Sequence, residues 1–219
     1  MQATTDDPGR EATDGRIRRG DRTRREVLRV AVDVASVEGL DGLSIGRLAT
    51  ALGISKSGLI GHFGTKEELQ LATIRAARAI FARSVIEPAL RKPPGRAQVQ
   101  ALLDGWLEYS SDRRFPGGCF FARASHEHAA RPGAVRDALA VVDEEWLGLL
   151  AESIRGAQAV GEVAADVDAA QLAYELDAYL DSANLRSLLG RPGVYEQAAR
   201  AVRDRLDAAA GVPDVRRPS

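Results

Sequence analysis

The sequence predicts an all-α protein, and three observations carry that expectation. Apolar residues recur at i, i+3, i+4 and i+7 through every long segment. Alanine and leucine, both strong helix formers, abound, while aromatic residues make up only 5% of the chain. No segment alternates apolar and polar residues convincingly enough to be a half-buried strand, and none repeats internally. With 219 residues, 45% of them hydrophobic, and a net charge of -1, the chain has room for one good core or two smaller ones. No run of apolar residues is long enough to span a membrane, and the polar first 20 residues lack the apolar centre of a secretory signal. The one cysteine, Cys119, cannot form an internal disulfide, so a reducing cytoplasm is the expected compartment.

Residues 1–20 are small and charged, carry Pro8, Gly9, Gly15 and Gly20, and read as a disordered arm. Arg16, Arg18, Arg19, Arg22, Arg24 and Arg25 cluster at and just past its end, where they suit phosphates or a minor groove and equally a solvated tail that aids solubility. Val27, Val30, Ala31, Val34 and Ala35 place a helix over about 23–37, stopped by Gly39 and Asp41-Gly42. Ser44 caps a second helix with Ile45, Leu48, Ala49 and Leu52 as its apolar face, and Gly53 ends it. Ser55 caps a third helix through Phe63. Thr65-Lys66-Glu67-Glu68 is a capping box. It opens a fourth helix that runs towards Val85 and stops before Pro88.

After the loop Lys92-Pro93-Pro94-Gly95, a helix over about 96–111 carries Val99, Leu102, Leu103, Trp106 and Leu107 on one side. Arg114-Phe115-Pro116-Gly117-Gly118 breaks it, and a short segment covers 119–130. A long helix over 134–160 has Val135, Leu139, Val142, Trp146, Leu149, Leu150 and Ile154 as its stripe. Asp168 caps a helix reaching Leu189. After Gly190 and Arg191-Pro192-Gly193, a last helix covers 194–210, leaving 211–219 as a flexible tail. About nine helices result.

Residues 44–63 carry the strongest functional signal: two short helices joined by a tight turn. The first turn of the second helix offers Lys56, Ser57 and Gly58, a cation, a hydroxyl and a residue with no side chain. That set suits close approach to phosphates and base edges. Leu59 and Phe63 anchor the helix from behind, and Arg47 projects from the preceding helix within reach of a phosphate. Charge is distributed accordingly. Residues 16–66 carry a net +5, against -3 for residues 1–15 and -3 for residues 67–219, as expected of a basic module that meets nucleic acid.

Residues 23–72 resemble the DNA-binding domain of the TetR family of bacterial transcriptional regulators. The resemblance rests on Thr23, Ala31, Ala35, Gly39, Ser44, Leu48-Ala49, Leu52-Gly53-Ile54-Ser55-Lys56, Leu59, His62-Phe63 and Lys66-Glu67-Glu68-Leu69. It implies an interface of Thr23, Ser44, Arg47, Ser55, Lys56, Ser57, Gly58, Gly61, His62 and Lys66, with Ser44, His62 and Lys66 holding phosphates. Two positions depart from the family pattern: Ile60 stands where an aromatic, most often tyrosine, is usual, and Gly61 where a polar residue is common.

The resemblance further implies a DNA-binding domain over 21–66, followed by a ligand-sensing and dimerisation domain over 67–210. The last two helices would form an intermolecular four-helix bundle, eased by Ala173, Ala178, Ala183, Ala198, Ala199 and Ala201. A two-fold dimer would read a pseudo-palindromic operator, and the fourth helix would act as the lever between domains.

In the second domain, Trp106, Tyr109, Phe120, Phe121, Trp146, Tyr174, Asp177, Asp181 and Asn184 are candidates for a small-molecule pocket. Tyr174, Asp177, Asp181 and Asn184 share one helical stripe. Buried, it would recognise a polar or cationic group; exposed, it would be plain surface. Aromatics at this spacing equally suit plain core.

Other motifs point to no chemistry. Gly42-Leu43-Ser44-Ile45-Gly46 matches a hydrolase nucleophile elbow, but that elbow needs a preceding strand. His126 and His128 point about 200° apart on a helix and cannot share one metal ion, so His126-Glu127-His128 reads as polar surface. Cys119 reads as a small packed residue. The expected protein uses no cofactor and no metal, and has no catalytic set. It is a homodimeric, ligand-responsive repressor of double-stranded operator DNA, released by an unidentified small effector. The alternative is a dimeric regulator without a small ligand, controlled by a protein partner or by its level.

Overall fold

Helix α1 runs from Pro8 to Glu38, so it begins well before Thr23, and residues 8–20 are helical rather than a disordered arm. This Arg-, Glu- and Ala-containing stretch tolerates Gly15 and Gly20 at a cost in stability but not in fold. The computed structural model describes residues 8–210, with side chains described from Gly20. The expectations for residues 1–7 and 211–219 lie outside the described residues.

Helices α2 (Ile45–Leu52) and α3 (Lys56–Phe63) open with side-chain caps. Ser44 Oγ accepts from the Arg47 N–H at 3.2 Å, and Ser55 Oγ accepts from the Gly58 N–H at 3.1 Å. Gly53, at φ 65°, makes the left-handed turn between them. Val27, Ala31, Ala35, Leu40, Leu43, Leu48, Leu59, Phe63 and Leu69 close the core of this unit. Because Ser44 follows α1 and a turn rather than a strand, its hydroxyl is a cap and not a nucleophile.

Helix α4 (Lys66–Phe81) opens with both halves of the capping box formed. It continues without interruption through a π-helical segment, Ala82–Ile86, into α5 (Glu87–Leu90). The helix therefore passes Pro88 instead of stopping before it. Pro88 falls in the opening turn of α5, just after the wide π turn, where a backbone N–H is dispensable.

The rest comprises α6 (Arg96–Ser111), α7 (Phe120–His128), α8 (Ala134–Ala159), α9 (Ala169–Leu188) and α10 (Val194–Ala208). Asp168 caps α9 by accepting from Ala170 and Gln171 at 2.9 and 3.1 Å. α8 lies between α9 and α6 with α4 against it, while α10 packs on α9 and α7 bridges α1 and α8. No described helix is long and apolar enough to cross a membrane.

One contact fixes how α7 meets α1. Gly117, in the loop before α7, donates to Ser36 Oγ at 3.1 Å. A Cβ at Gly117 would lie 1.9 Å from the Ser36 carbonyl oxygen, so only glycine allows this approach.

Candidate nucleic-acid interface and ligand cavity

The outward face of α3 presents Lys56, Ser57, Gly58, Ile60 and Gly61, all exposed, while Leu59 and Phe63 are buried beneath. The Lys56 stem lies over Gly46, where an added Cβ would come within 3.0 Å of Lys56 Cε. Ser55 Oγ is 3.2 Å from Ser57 Oγ. Ser44 is exposed at the head of α2, and Thr23 is half-buried on α1. Nothing lies within 4 Å of a Cβ added at Gly61. Gly61→Ala is therefore expected to stabilise the protein by about 0.5–1 kcal/mol, measured by denaturant titration, through reduced chain entropy.

Arg47 and Lys66 are exposed, as the sequence expectation requires, and carry contacts within the protein as well. Both Arg47 Nη atoms bond the Glu38 carboxylate, and this pairing holds the Glu38 carboxyl below its ordinary range. Lys66 Nζ donates to the Asp41 carbonyl at 2.7 Å. Both cations thus tie the α1–α2 turn to its surroundings. The partners are distant in local pattern and meet only after the chain turns at Gly39. His62 is half-buried beside Phe63 and near Gly20, and its carbonyl accepts from Arg24. Arg24 also lies over the Phe63 ring, 4.5 Å from its centre, a contact worth about 0.5–1 kcal/mol. Sequence reasoning had Arg24 only as one member of a basic cluster.

The α1–α2 turn is also gripped from the other domain. Glu127 on α7 accepts from the Leu40 and Asp41 N–H groups at 2.6 and 3.0 Å. Gln70 on α4 donates to the Leu40 carbonyl at 3.0 Å, and Arg131 pairs with Asp41. A Cβ at Gly39 would fall 2.1 Å from Glu127 Oε2, and its φ of 83° also suits glycine. His128 is buried beside Glu127, so the tripeptide 126–128 is not polar surface. The two histidines do face apart. His126 borders a cavity on the far side of α7. Asp41, Glu127 and His128 come within 4.8 Å of one another, but Arg131, Lys66 and two backbone N–H groups already occupy the two carboxylates.

That cavity is about 100 Å³, several times the roughly 10–15 Å³ that admits one water. Its walls come from α4, α6, α7, α8 and α9. Phe81, Trp106, Phe121 and Trp146 supply rings, and Phe81 meets Phe121 and Trp146 edge-on at 6.0 and 5.2 Å. The polar lining is Ser125, His126, Asp143, Asp177 and Asp181, with Cys119 between. The Trp146 indole N–H donates to Asp177 at 2.7 Å. Burial, and then the charge of Asp181, push the Asp177 carboxyl up to about 6. Burial likewise raises Asp181, opposed by His126. The Cys119 thiol is pushed up to about 12, chiefly by burial, so it stays protonated at neutral pH.

Of the expected pocket residues, Trp106, Phe121, Trp146, Asp177 and Asp181 line the cavity. Four do not. Phe120 is wholly buried, and Tyr109 packs as core between Phe81 and Phe115. Asn184 Oδ1 ties Cys119 N–H and Ser110 Oγ together at 2.9 and 3.1 Å. Tyr174 is 62% exposed on the outer face of α9. Phe81, His126 and Asp143 were missed. They come from helices whose own periodicity assigns them to core or surface.

An exposed helix-turn-helix joined to a helical second domain is the architecture of a DNA-binding transcriptional regulator. Residues 27–73 match the family described as bacterial regulatory proteins, tetR family, and residues 95–202 match the tetracyclin repressor-like C-terminal domain. The chain belongs to the TetR family of bacterial transcriptional regulators, which are not enzymes. It is similar to the transcriptional regulator AcuR of Cereibacter sphaeroides, 27% identical over 150 residues that make up 68% of each protein. The fold is shared with a TetR regulator from Chloroflexus aurantiacus (TM-score 0.78, 26% identity, 89% of this chain and 99% of that one). It is also shared with a regulator from Saccharomonospora viridis solved with choline (TM-score 0.73, 25% identity, 88% and 99%).

Proposed function

We propose that the protein is a homodimeric repressor, acting on cytoplasmic DNA, that leaves a pseudo-palindromic operator when a small molecule fills the aromatic cavity. The observation that carries this reading is α7. One face of it, through Phe121, Ser125 and His126, lines the cavity, while Glu127 holds the backbone of the α1–α2 turn. α4 makes a parallel link, with Gln70 on the same turn and Phe81 in the cavity wall. A ligand that favours one placement of α4 and α7 shifts the population of DNA-binding geometries. That a regulator of the same fold was solved with choline supports a small-molecule effector over the alternative without one.

Dimerisation through α9 and α10 is supported by the outer face of α9. Tyr174, Ala178, Leu185 and Leu189 form an exposed stripe there, with Leu189 73% exposed. Ala173, Ala183 and Ala198, expected at the dimer seam, are instead buried within the protomer. They bring α9 close to its own neighbours.

The test is a gel-shift titration on the DNA upstream of the gene, with unrelated DNA as competitor. A discrete, competitor-resistant shift is expected. Lys56→Ala should weaken it and lower the salt slope by about one unit, as for loss of one phosphate contact. An unchanged slope would remove Lys56 from the interface. Ile60→Tyr should tighten binding by restoring a phosphate donor, and no gain would show that the contact is replaced elsewhere.

A further inference from the structure

We propose that the cavity between α4, α6, α7, α8 and α9 receives a small organic cation, either a quaternary ammonium or a protonated amine. This rests on reading the cavity as the effector site. Three carboxylates, Asp143, Asp177 and Asp181, border it, and neither lysine nor arginine does. His126 is the one cationisable group among the lining residues. Among the described residues, Asp177 has the Trp146 indole N–H as its one hydrogen-bond partner, and Asp181 has no hydrogen bond or ion pair, with His126 the nearby group that offsets its charge, so three carboxylates face one cationisable side chain. Four aromatic rings surround the same space. Ring faces attract cations and carry no cost of desolvating a counter-charge. Aromatic walls without carboxylates would suit a neutral apolar ligand. Carboxylates without walls would suit a hydrated metal ion. The combination selects an organic cation whose alkyl groups meet the rings while its charge meets Asp177 and Asp181.

Asp143 on α8, Asp181 on α9 and His126 on α7 are the titratable groups that face Asp177 beside Cys119. Acid protonates Asp177, and this weakens cation binding.

The experiment is calorimetric titration of the full-length protein with choline, with protonated butylamine, and with the neutral alcohol in which carbon replaces the choline nitrogen. Choline or the amine is expected to bind at least about tenfold more tightly than the neutral alcohol, a difference of about 1.4 kcal/mol. Asp177→Asn should remove most of that preference. Asp181→Asn, at an exposed position on α9, should reduce it. Equal or tighter binding of the neutral alcohol overturns the proposal. So does failure of both cations to bind, or an unaltered preference in both variants. The same compounds are added to the operator complex. Cation binding without release of DNA keeps the cation site and sinks the effector reading. Release by the neutral alcohol alone does the reverse.

Discussion

Asp177→Asn is expected to raise the thermal midpoint of the ligand-free protein at neutral pH by about 2–8 °C. The Asp177 carboxyl stands at about 6, against an ordinary 3.8. Between these values the folded state holds more protons than the unfolded state, so stability falls as pH rises through this window. Above it the full penalty of an ionised, half-buried group is present. A shift of this size corresponds to at most about 3 kcal/mol. Screening through the open mouth of the cavity leaves about 1–2 kcal/mol, and each kcal/mol moves the midpoint by about 2–4 °C at this chain length. Asparagine keeps the volume and the acceptor for Trp146 but carries no charge. Melting curves at about pH 5 and pH 7.5 provide the check: the gap between variant and wild type should widen with pH. A variant less stable at pH 7.5 would show that the Asp177 charge is compensated within the protein.

Glu127→Gln is expected to separate ligand binding from DNA binding. The carboxylate accepts from two adjacent N–H groups, Leu40 and Asp41. A glutamine offers one oxygen, and its NH₂ must then face a second donor. Losing one acceptor from this half-buried site costs about 1–3 kcal/mol, all of it at the domain junction. Glu127 does not line the cavity, so ligand affinity measured by calorimetry should change by less than about twofold. Operator affinity, or its response to ligand, should change by about tenfold or more, given that cost. If neither moves, the coupling passes through α4 and Gln70 alone.

The DNA-binding unit was legible because its signals are local. Ser44, Ser55 and the Thr65–Glu68 box cap helices within four residues of themselves, and the structure places each cap where the pattern does. Helix starts without such signals were less legible. α1 is already helical before Thr23, in a charged stretch with no apolar face to betray it. The roles of Arg47 and Lys66 depend on Glu38 and Asp41, which approach only through the turn at Gly39. The cavity was half legible: Asp177 and Asp181 share a stripe on one helix, but Asp143 joins them from α8. Periodicity reports which face of a helix is apolar, not which helices leave a gap between them. His126 and His128 show the same limit, since their opposed directions follow from helix geometry but their destinations do not.

Helix α7 spans nine residues, Phe120–His128, none of them glycine or proline. At 1.5 Å per residue it is a rod of about 13 Å, too short and too uniform to bend internally. In the proposed reading it can only tilt, slide or turn as a body. A displacement at Phe121 is therefore carried to Glu127 by the whole rod, next to the loop contact where Gly117 touches Ser36. The regulator would then signal by leverage, without any segment folding or melting.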